Sequence, residues 1–312
     1  MAAYTVQRIL LAFVIIAMAV TTLFVLVQAV PGDPASVMLG PRATPEMKQA
    51  LRAKMHLDQP VYIQIYYFSS GLLRGDLGTD VLSNKPVLDI VMTQFPHTLA
   101  LVGSALLIAL LGIPLGVFSA LSRNSFLDRF IGVLSVALIA VPVVVVALAL
   151  LLIFAVKLRW FPAIGAGEPG NLADILWHLV LPAFAIGLSW IGYIARLVRA
   201  SMLEILNQSH VMIANAFGLP HWTIVRRYVL RIAILPTITV LGISISFILS
   251  AAVITEIIFA RPGIGKLIYD SVISRNYPLV MGSVLFSTVF IVFGTTLSDL
   301  LIALLDPRAR KE

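Results

Sequence analysis

Cysteine is absent from the 312 residues. That excludes disulfide staples, thiolate zinc sites, iron–sulfur clusters and cysteine nucleophiles. Charge is scarce: Asp, Glu, Lys and Arg together make up 12% of the chain, about half the roughly 25% of an average soluble domain. Apolar residues make up 60%, against roughly 45–50% ordinarily. So little polar surface cannot cover a water-soluble globule of this size, which argues against a soluble enzyme. No phosphate-cradling G-x-x-x-x-G-K-[ST] loop occurs; the nearest glycine cluster, Gly263–Lys266, is too short. There is no internal repeat and no low-complexity tract. His97 and His178 stand where apolar runs begin, without a carboxylate constellation, and make a poor metal site. The net charge of +7 orients such a chain in a bilayer rather than binding nucleic acid.

What is present is apolar length. A spanning helix needs about 20 mostly apolar residues, and six windows qualify: Ile9–Val30, Thr98–Leu121, Phe130–Val156, Leu179–Val198, Ile232–Phe259 and Leu279–Leu305. Pro96 precedes the second and Arg123-Asn124 follows it. In lipid, long apolar runs without alternation fold as helices, so the expected class is all-α, polytopic, with six spans. Val27-Gln28-Ala29 resembles a signal-cleavage site, but the apolar run that contains it, Ile9–Val30, is 22 residues long, beyond the roughly 7–15 of a signal core. It reads as an uncleaved anchor.

Lys and Arg in short loops set the orientation. With the N-terminus inside, the inner side carries Arg8, Arg123, Arg129, Arg196, Arg199, Arg226, Arg227, Arg231, Arg308, Arg310 and Lys311. The short outer loops carry only Lys157, Arg159, Arg261, Lys266 and Arg275. Both termini are therefore expected in the cytoplasm, with Arg196 and Arg199 snorkelling at the inner face.

Two connections are too long for turns. Pro31–His97 is expected outside. In it Thr44-Pro45-Glu46 opens a short helix through Leu57. Val61–Leu73 forms a second, whose Tyr62, Tyr66, Tyr67 and Phe68 suit an interfacial belt or a partner. Arg199–Arg231 is expected inside. There Glu204–Gly218 reads as a helix stopped by Gly218 and Pro220, followed by Trp222–Leu230. The face around His210, Ala214, Phe217 and Gly218 is short on charge. It suits docking to a partner protein, or lying on anionic headgroups.

These features resemble one family. Pro31-Gly32-Asp33-Pro34 directly follows the first span. Leu57-Asp58-Gln59-Pro60, Gly75-Asp76-Leu77-Gly78, Pro86-Val87 and Phe95-Pro96-His97-Thr98 follow in order. Near the end come Glu256-Ile257-Ile258-Phe259, Pro262-Gly263-Ile264-Gly265-Lys266-Leu267, Arg275-Asn276-Tyr277-Pro278 and Asp306-Pro307-Arg308. Over nearly its whole length the chain is similar to the permease subunits of peptide/nickel-class ATP-binding-cassette importers, the dipeptide/oligopeptide B-like subunit with a long first external loop.

The resemblance implies a type I importer permease fold in a bacterial inner membrane. Residues 1–97 would form the first span and external loop, 98–305 a five-helix core with an ATPase-docking loop at about 200–231, and 306–312 a cytoplasmic tail. It implies half of a pore for short peptides or a similar solute, with a second permease, two ATPases and an external substrate-binding protein as partners. ATP and Mg would bind those ATPases and no cofactor this chain, which would carry no catalytic residue. Docking would use Ala214, Ala216, Phe217, Gly218, Leu219 and Leu230. Met212 stands where the family has an acid, and Asn215 and Phe217 where basic residues are usual.

On the fifth span Ser246, Ser250 and Thr255 offer neutral hydrogen bonds that suit peptide groups, or helix packing. Glu256 lines an outer gate or caps the Pro262-Gly263 turn. Asp299, a charge inside a span, bonds another helix or contacts solute. Pro114, Pro142, Pro182 and Pro236 lend compliance or merely mark kinks. The alternative readings are a stand-alone secondary transporter or channel, opposed by the lack of an inverted repeat and the few intramembrane charges, and an intramembrane enzyme, opposed by the lack of paired catalytic groups. Dipeptides, longer peptides, glutathione and nickel chelates all remain open as substrates.

Overall fold

Apolar runs without charge close their backbone hydrogen bonds internally, and here they do so as helices. The computed structural model describes residues 2–29, 36, 39, 43–54 and 58–305, with side chains described for 9–26, 36, 39, 43–53, 58–60, 62–72 and 74–296. The Pro31-Gly32-Asp33-Pro34 and Asp306-Pro307-Arg308 motifs, Leu57 and the side chain of Asp299 lie outside these. Among the described residues there is no strand, only an isolated antiparallel bridge between Thr79 and Pro86.

The helices are α1 (Ala2–Ala29), α2 (Pro45–Lys54), α3 (Val61–Leu73), α4 (Val87–Ala109), α5 (Gly112–Leu121), α6 (Phe126–Ala140), α7 (Val143–Leu150, continued as a π-helix Leu151–Lys157) and α8 (Leu172–Leu206). They continue as α9 (Ser209–Ala216), α10 (a run over 221–233 with a π-helical centre), α11 (Leu235–Ile258), α12 (Ile264–Ile273) and α13 (Tyr277–Leu305). Among the described residues five segments are long and apolar enough to cross a membrane, or six if the bent pair α6 and α7 is one span.

The chain divides into two compact units. The first comprises Met1–Thr98 and Pro262–Thr296. Phe24 of α1 meets Phe68 of α3 edge-on at 5.5 Å. Phe95 of α4 meets Phe286 and Phe290 of α13, each at 5.0 Å. Gly282 lets α13 close on α4, since a Cβ there would lie 2.4 Å from Val87 Cγ1. The loop before α4 is tied by Asp80, which accepts from Ser83 and from Asn276 Nδ2. Burial opposes ionisation of Asp80, yet the hydrogen bonds from Ser83, Asn276 and the Leu82 amide hold its carboxyl below the ordinary range.

The second unit comprises Leu99–Arg261 and Leu297–Glu312. Its core is the approach of α5 to α8. A Cβ on Gly112 would meet the Ile191 carbonyl oxygen at 2.6 Å, and one on Gly116 that of Ala195 at 2.6 Å. This Gly-x-x-x-Gly spacing lets two backbones touch where lipid gives helices no hydrophobic reason to associate.

Several expected boundaries move. The second span starts at Val87, and Pro96 lies inside the helix rather than before it. Buried Val87 and Val91 anchor the added turns. The third span is not one straight helix. It breaks by 101° between α6 and α7, where Val141 is extended ahead of Pro142, the conformation proline imposes on its predecessor. The fourth expected span is the middle of a 35-residue helix, about 52 Å long. Asn171 caps its start by accepting from the Asp174 amide at 3.2 Å. Pro182 sits within it without a break. The expected helix Glu204–Gly218 is instead the end of α8 plus the separate α9, divided at Asn207-Gln208. The helix expected through Leu57 is described only to Lys54; Thr44 starts it, its Oγ1 accepting from the Met47 amide at 3.3 Å.

Candidate functional site

Two regions of the second unit carry the expected functional residues. The first follows α8. Helix α9 ends at Phe217-Gly218, where Gly218 adopts φ +72°. The Leu219 amide reaches back to the Ala214 carbonyl at 3.4 Å, and the Gly218 amide to Asn215 at 2.9 Å. This is the closure that brings the residues at its two ends together. Ala214 is buried, and Leu219 and Leu230 pack with it on the cluster of Val198, Met202, Val211, Ile224 and Val225. Ala216 and Gly218 are exposed. Phe217 is 81% exposed, and Met212, Ile213 and Trp222 are exposed beside it. The six docking candidates therefore split into a buried footing (Ala214, Leu219, Leu230) and a presented tip (Ala216, Phe217, Gly218).

A fixed base underlies this segment. Arg199, on the same helix that leads into it, donates to Asp128 of α6 from Nε at 2.6 Å and Nη2 at 2.8 Å. Ser119 of α5 and the Asn124 amide donate to the same carboxylate, at 2.6 and 3.0 Å. Arg199 thus does not simply snorkel: it fastens α8 to α6. Sequence reasoning missed this because the partners are 71 residues apart. The signal was Asp128 itself, an acid at the mouth of an apolar run.

The second region is α11. Ser250 is exposed and Ser246 half-buried; the Ser250 hydroxyl donates to the Ser246 carbonyl at 3.0 Å. Thr255 and Glu256 are fully buried, and Thr255 donates to Ala251 at 2.9 Å. The structure thus separates the four candidates into exposed Ser250 with half-buried Ser246, and the buried pair Thr255 and Glu256. The Arg261 amide donates to the Glu256 carbonyl at 2.9 Å across Ala260, whose φ is +43°. Arg261 is 0% exposed, and its Nε, Nη1 and Nη2 have no hydrogen-bond partner among the described residues. Sequence reasoning also missed a ring cluster on α8 and α11: Trp190 meets Tyr193 at 5.8 Å and Phe247 at 6.3 Å. His178 contacts Asp174, its Nδ1 lying 2.9 Å from the backbone oxygen. Among the described residues no group of three metal-ligating side chains forms.

Residues 112–311 match the family of binding-protein-dependent transport system inner membrane components. Residues 1–102 match the N-terminal part of such components. The chain belongs to this family. This permease is 36% identical over 308 residues to the probable D,D-dipeptide transport system permease protein DdpB of Escherichia coli K12, covering 91% of each chain. It is 34% identical to the oligopeptide transport system permease protein AppB of Bacillus subtilis over 99% of each. It is 32% identical to the glutathione transport system permease protein GsiC of Escherichia coli O6:H1 over 92% of each. The permease is similar in fold to a chain of the inward-facing MetNI methionine ABC transporter, with a TM-score of 0.58 at 18% identity, covering 70% of this chain and 97% of that one. It is a multi-pass inner-membrane protein, the membrane component of an ABC importer.

Proposed function

We propose that this permease forms half of the translocation path of an ATP-driven importer for short peptides or a similar small solute. Its relatives carry dipeptide, oligopeptide and glutathione transport in their names. The partners are a second, related permease, two cytosolic ATPases that hold ATP and Mg, and an external substrate-binding protein. This chain has no catalytic residue and no cofactor of its own. Both termini face the cytoplasm. Residues 1–97 form the first span and external loop, 98–305 the core, and 306–312 the tail.

The observation that carries this reading is the presented tip at Phe217-Gly218, built on a buried footing. An exposed aromatic ring beside a glycine with open space around it suits insertion into a cleft on an ATPase. ATP-driven closure of that partner then moves α9 and α10 as one body. Asp128 and Arg199 carry the motion into α6 and α8. Coupling requires that these ligands bind the two states differently: ATP favours one closure, and the loaded binding protein favours the outward state. Ser246, Ser250, Thr255 and Glu256 remain the candidates along the path and at its gate.

The test is capture of the tagged chain from its native membrane, with mass spectrometry of what accompanies it, followed by reconstituted uptake. Two ATPases, a second permease and ATP-dependent peptide uptake are expected. Gly218→Trp is expected to leave the chain in the membrane and abolish uptake. A chain that runs alone and moves solute without ATP would replace this reading with a secondary transporter; normal uptake by Gly218→Trp would sink the docking tip.

A further inference from the structure

Trp and Tyr ordinarily sit at the edges of a bilayer, where ring and polar tip are both satisfied. Trp190 and Tyr193 do not. They lie just past the midpoint of α8, Leu172–Leu206, and Phe247 lies at the midpoint of α11, Leu235–Ile258. The three rings touch through Trp190. Tyr193 is 44% exposed and Phe247 62%. The Tyr193 hydroxyl and the Trp190 indole N–H make no hydrogen bond to the described residues. One turn along α11 from Phe247, Ser250 is also exposed.

The exposed face of α6 and α7 is a control within the same unit. From Phe130 to Val156 every exposed residue is Ala, Val, Leu, Ile, Phe or Pro, and Ser135 is buried. That is the surface a helix shows to lipid. A hydroxyl and an indole N–H left without partners at mid-membrane depth are disfavoured there.

We infer that Trp190, Tyr193, Phe247 and Ser250 line the water-filled solute path and form its solute-contacting constriction. The rings stack on peptide planes and apolar side chains, while the Tyr193 and Ser250 hydroxyls hydrogen-bond peptide groups. The solute class is a short peptide with apolar or aromatic side chains. This inference rests on the proposed pore function and names the contacts within it.

The test uses the natural absence of cysteine. Ser250→Cys, and Ala137→Cys on the exposed face of α6, are each placed in the assembled transporter. Both are exposed to a charged methanethiosulfonate and to a lipophilic maleimide, at rest and vanadate-trapped, and modification is read on this chain by mass. Ser250→Cys is expected to react with the charged reagent in at least one state, and more slowly when a transported peptide is present. Ala137→Cys is expected to react only with the maleimide. A Ser250→Cys that behaves like Ala137→Cys places the face in lipid, and one that reacts with neither reagent places it against a subunit; either overturns the inference.

A second measurement compares uptake of a Phe-containing and an Ala-containing dipeptide. Phe247→Ala is expected to lower the kcat/KM ratio between them by roughly 2- to 10-fold, and Tyr193→Phe, which removes only the hydroxyl, to lower kcat/KM for both peptides alike. An unchanged ratio in Phe247→Ala together with an unchanged kcat/KM in Tyr193→Phe also overturns it. The labelling result stands apart from the energy source: labelled Ser250→Cys in a chain that works without ATP would keep this constriction and sink the importer reading instead.

Discussion

The turns at Gly218 and at Ala260 share one backbone geometry and fill it differently. Each ends a helix with a residue in the left-handed region, φ +72° and +43°. In each, an amide reaches back five residues, from Leu219 to Ala214 and from Arg261 to Glu256. That closure brings the outer two side chains together, usually an apolar pair. At Gly218 the pair is Ala214 and Leu219, both on one apolar cluster. At Ala260 it is Glu256 and Arg261, both 0% exposed. The backbone motif decides which residues meet. Their chemistry decides whether the meeting stabilises.

At Ala260 it does not stabilise much. Burial pulls the Arg261 guanidinium below its ordinary pKa, and the charge of Glu256 only opposes this. The guanidinium gains no hydrogen bond from the described residues in return. Arg199, by contrast, is bidentate to Asp128, which Ser119 and Asn124 also satisfy. Taking a charge out of water costs several kcal/mol unless geometry and hydrogen bonds repay it.

The largest expected effect therefore comes from removing the counter-charge. Glu256→Gln leaves Arg261 buried alone and is expected to destabilise the permease by about 3 kcal/mol, read as a lowered unfolding midpoint in detergent. Replacing both partners, Glu256→Leu with Arg261→Met, is expected to restore or exceed the wild-type midpoint. A Glu256→Gln variant as stable as wild type would show that the contrast between the two turns has no energetic content.

Asp80 sharpens the same contrast as a buried carboxylate with its hydrogen bonds made. Its pKa is depressed in the fold, so its contribution is fully present above its unfolded value, about 4, and is lost as pH falls through the lower folded value. Acidifying the medium below about pH 4 is expected to free the 79–86 loop by roughly 1–2 kcal/mol. Hydrogen exchange of the Leu82 and Ser83 amides reads this, and Asp80→Asn should show the exposed pattern at every pH. Exchange that ignores pH in the wild type would remove Asp80 from the role.

Much of this was legible in the sequence, for a physical reason. Lipid leaves an apolar run no alternative to the helix, so α11 and α13 stand close to their apolar windows and α3 spans Val61–Leu73 as its pattern indicates. Hydropathy could not show α8 continuing beyond its apolar middle, because Asp174, His178 and Glu204 dilute the signal there while the helix runs on. Nor could it show the 101° break at Pro142, since proline is tolerated at Pro96 and Pro182 without one. Of the docking candidates, the stop at Gly218 was readable from Gly218 and Pro220. The division into footing and tip needed the packing of α10 beneath. The ring cluster and the Asp128–Arg199 bond were hidden because each joins distant segments.

Two smaller substitutions exchange the fillings at the left-handed positions. Gly218→Ala meets nothing within 4 Å, so its cost is conformational alone, about 1–2 kcal/mol for a Cβ in the left-handed region.

The reverse exchange, Ala260→Gly, is expected to have the smallest effect and the opposite sign. Ala260 already pays the Cβ strain at φ +43°, and glycine removes it. Part of the gain is returned, because glycine also frees the unfolded chain. The net expectation is a stabilisation of up to about 1 kcal/mol, seen as a small rise in the unfolding midpoint. Ala260 is exposed, so no packing is lost to confuse the reading. If Ala260→Gly lowered the midpoint, the turn would be held by its Cβ rather than strained by it. The parallel between the two turns would then fail at the backbone, before the charges of Glu256 and Arg261 are considered.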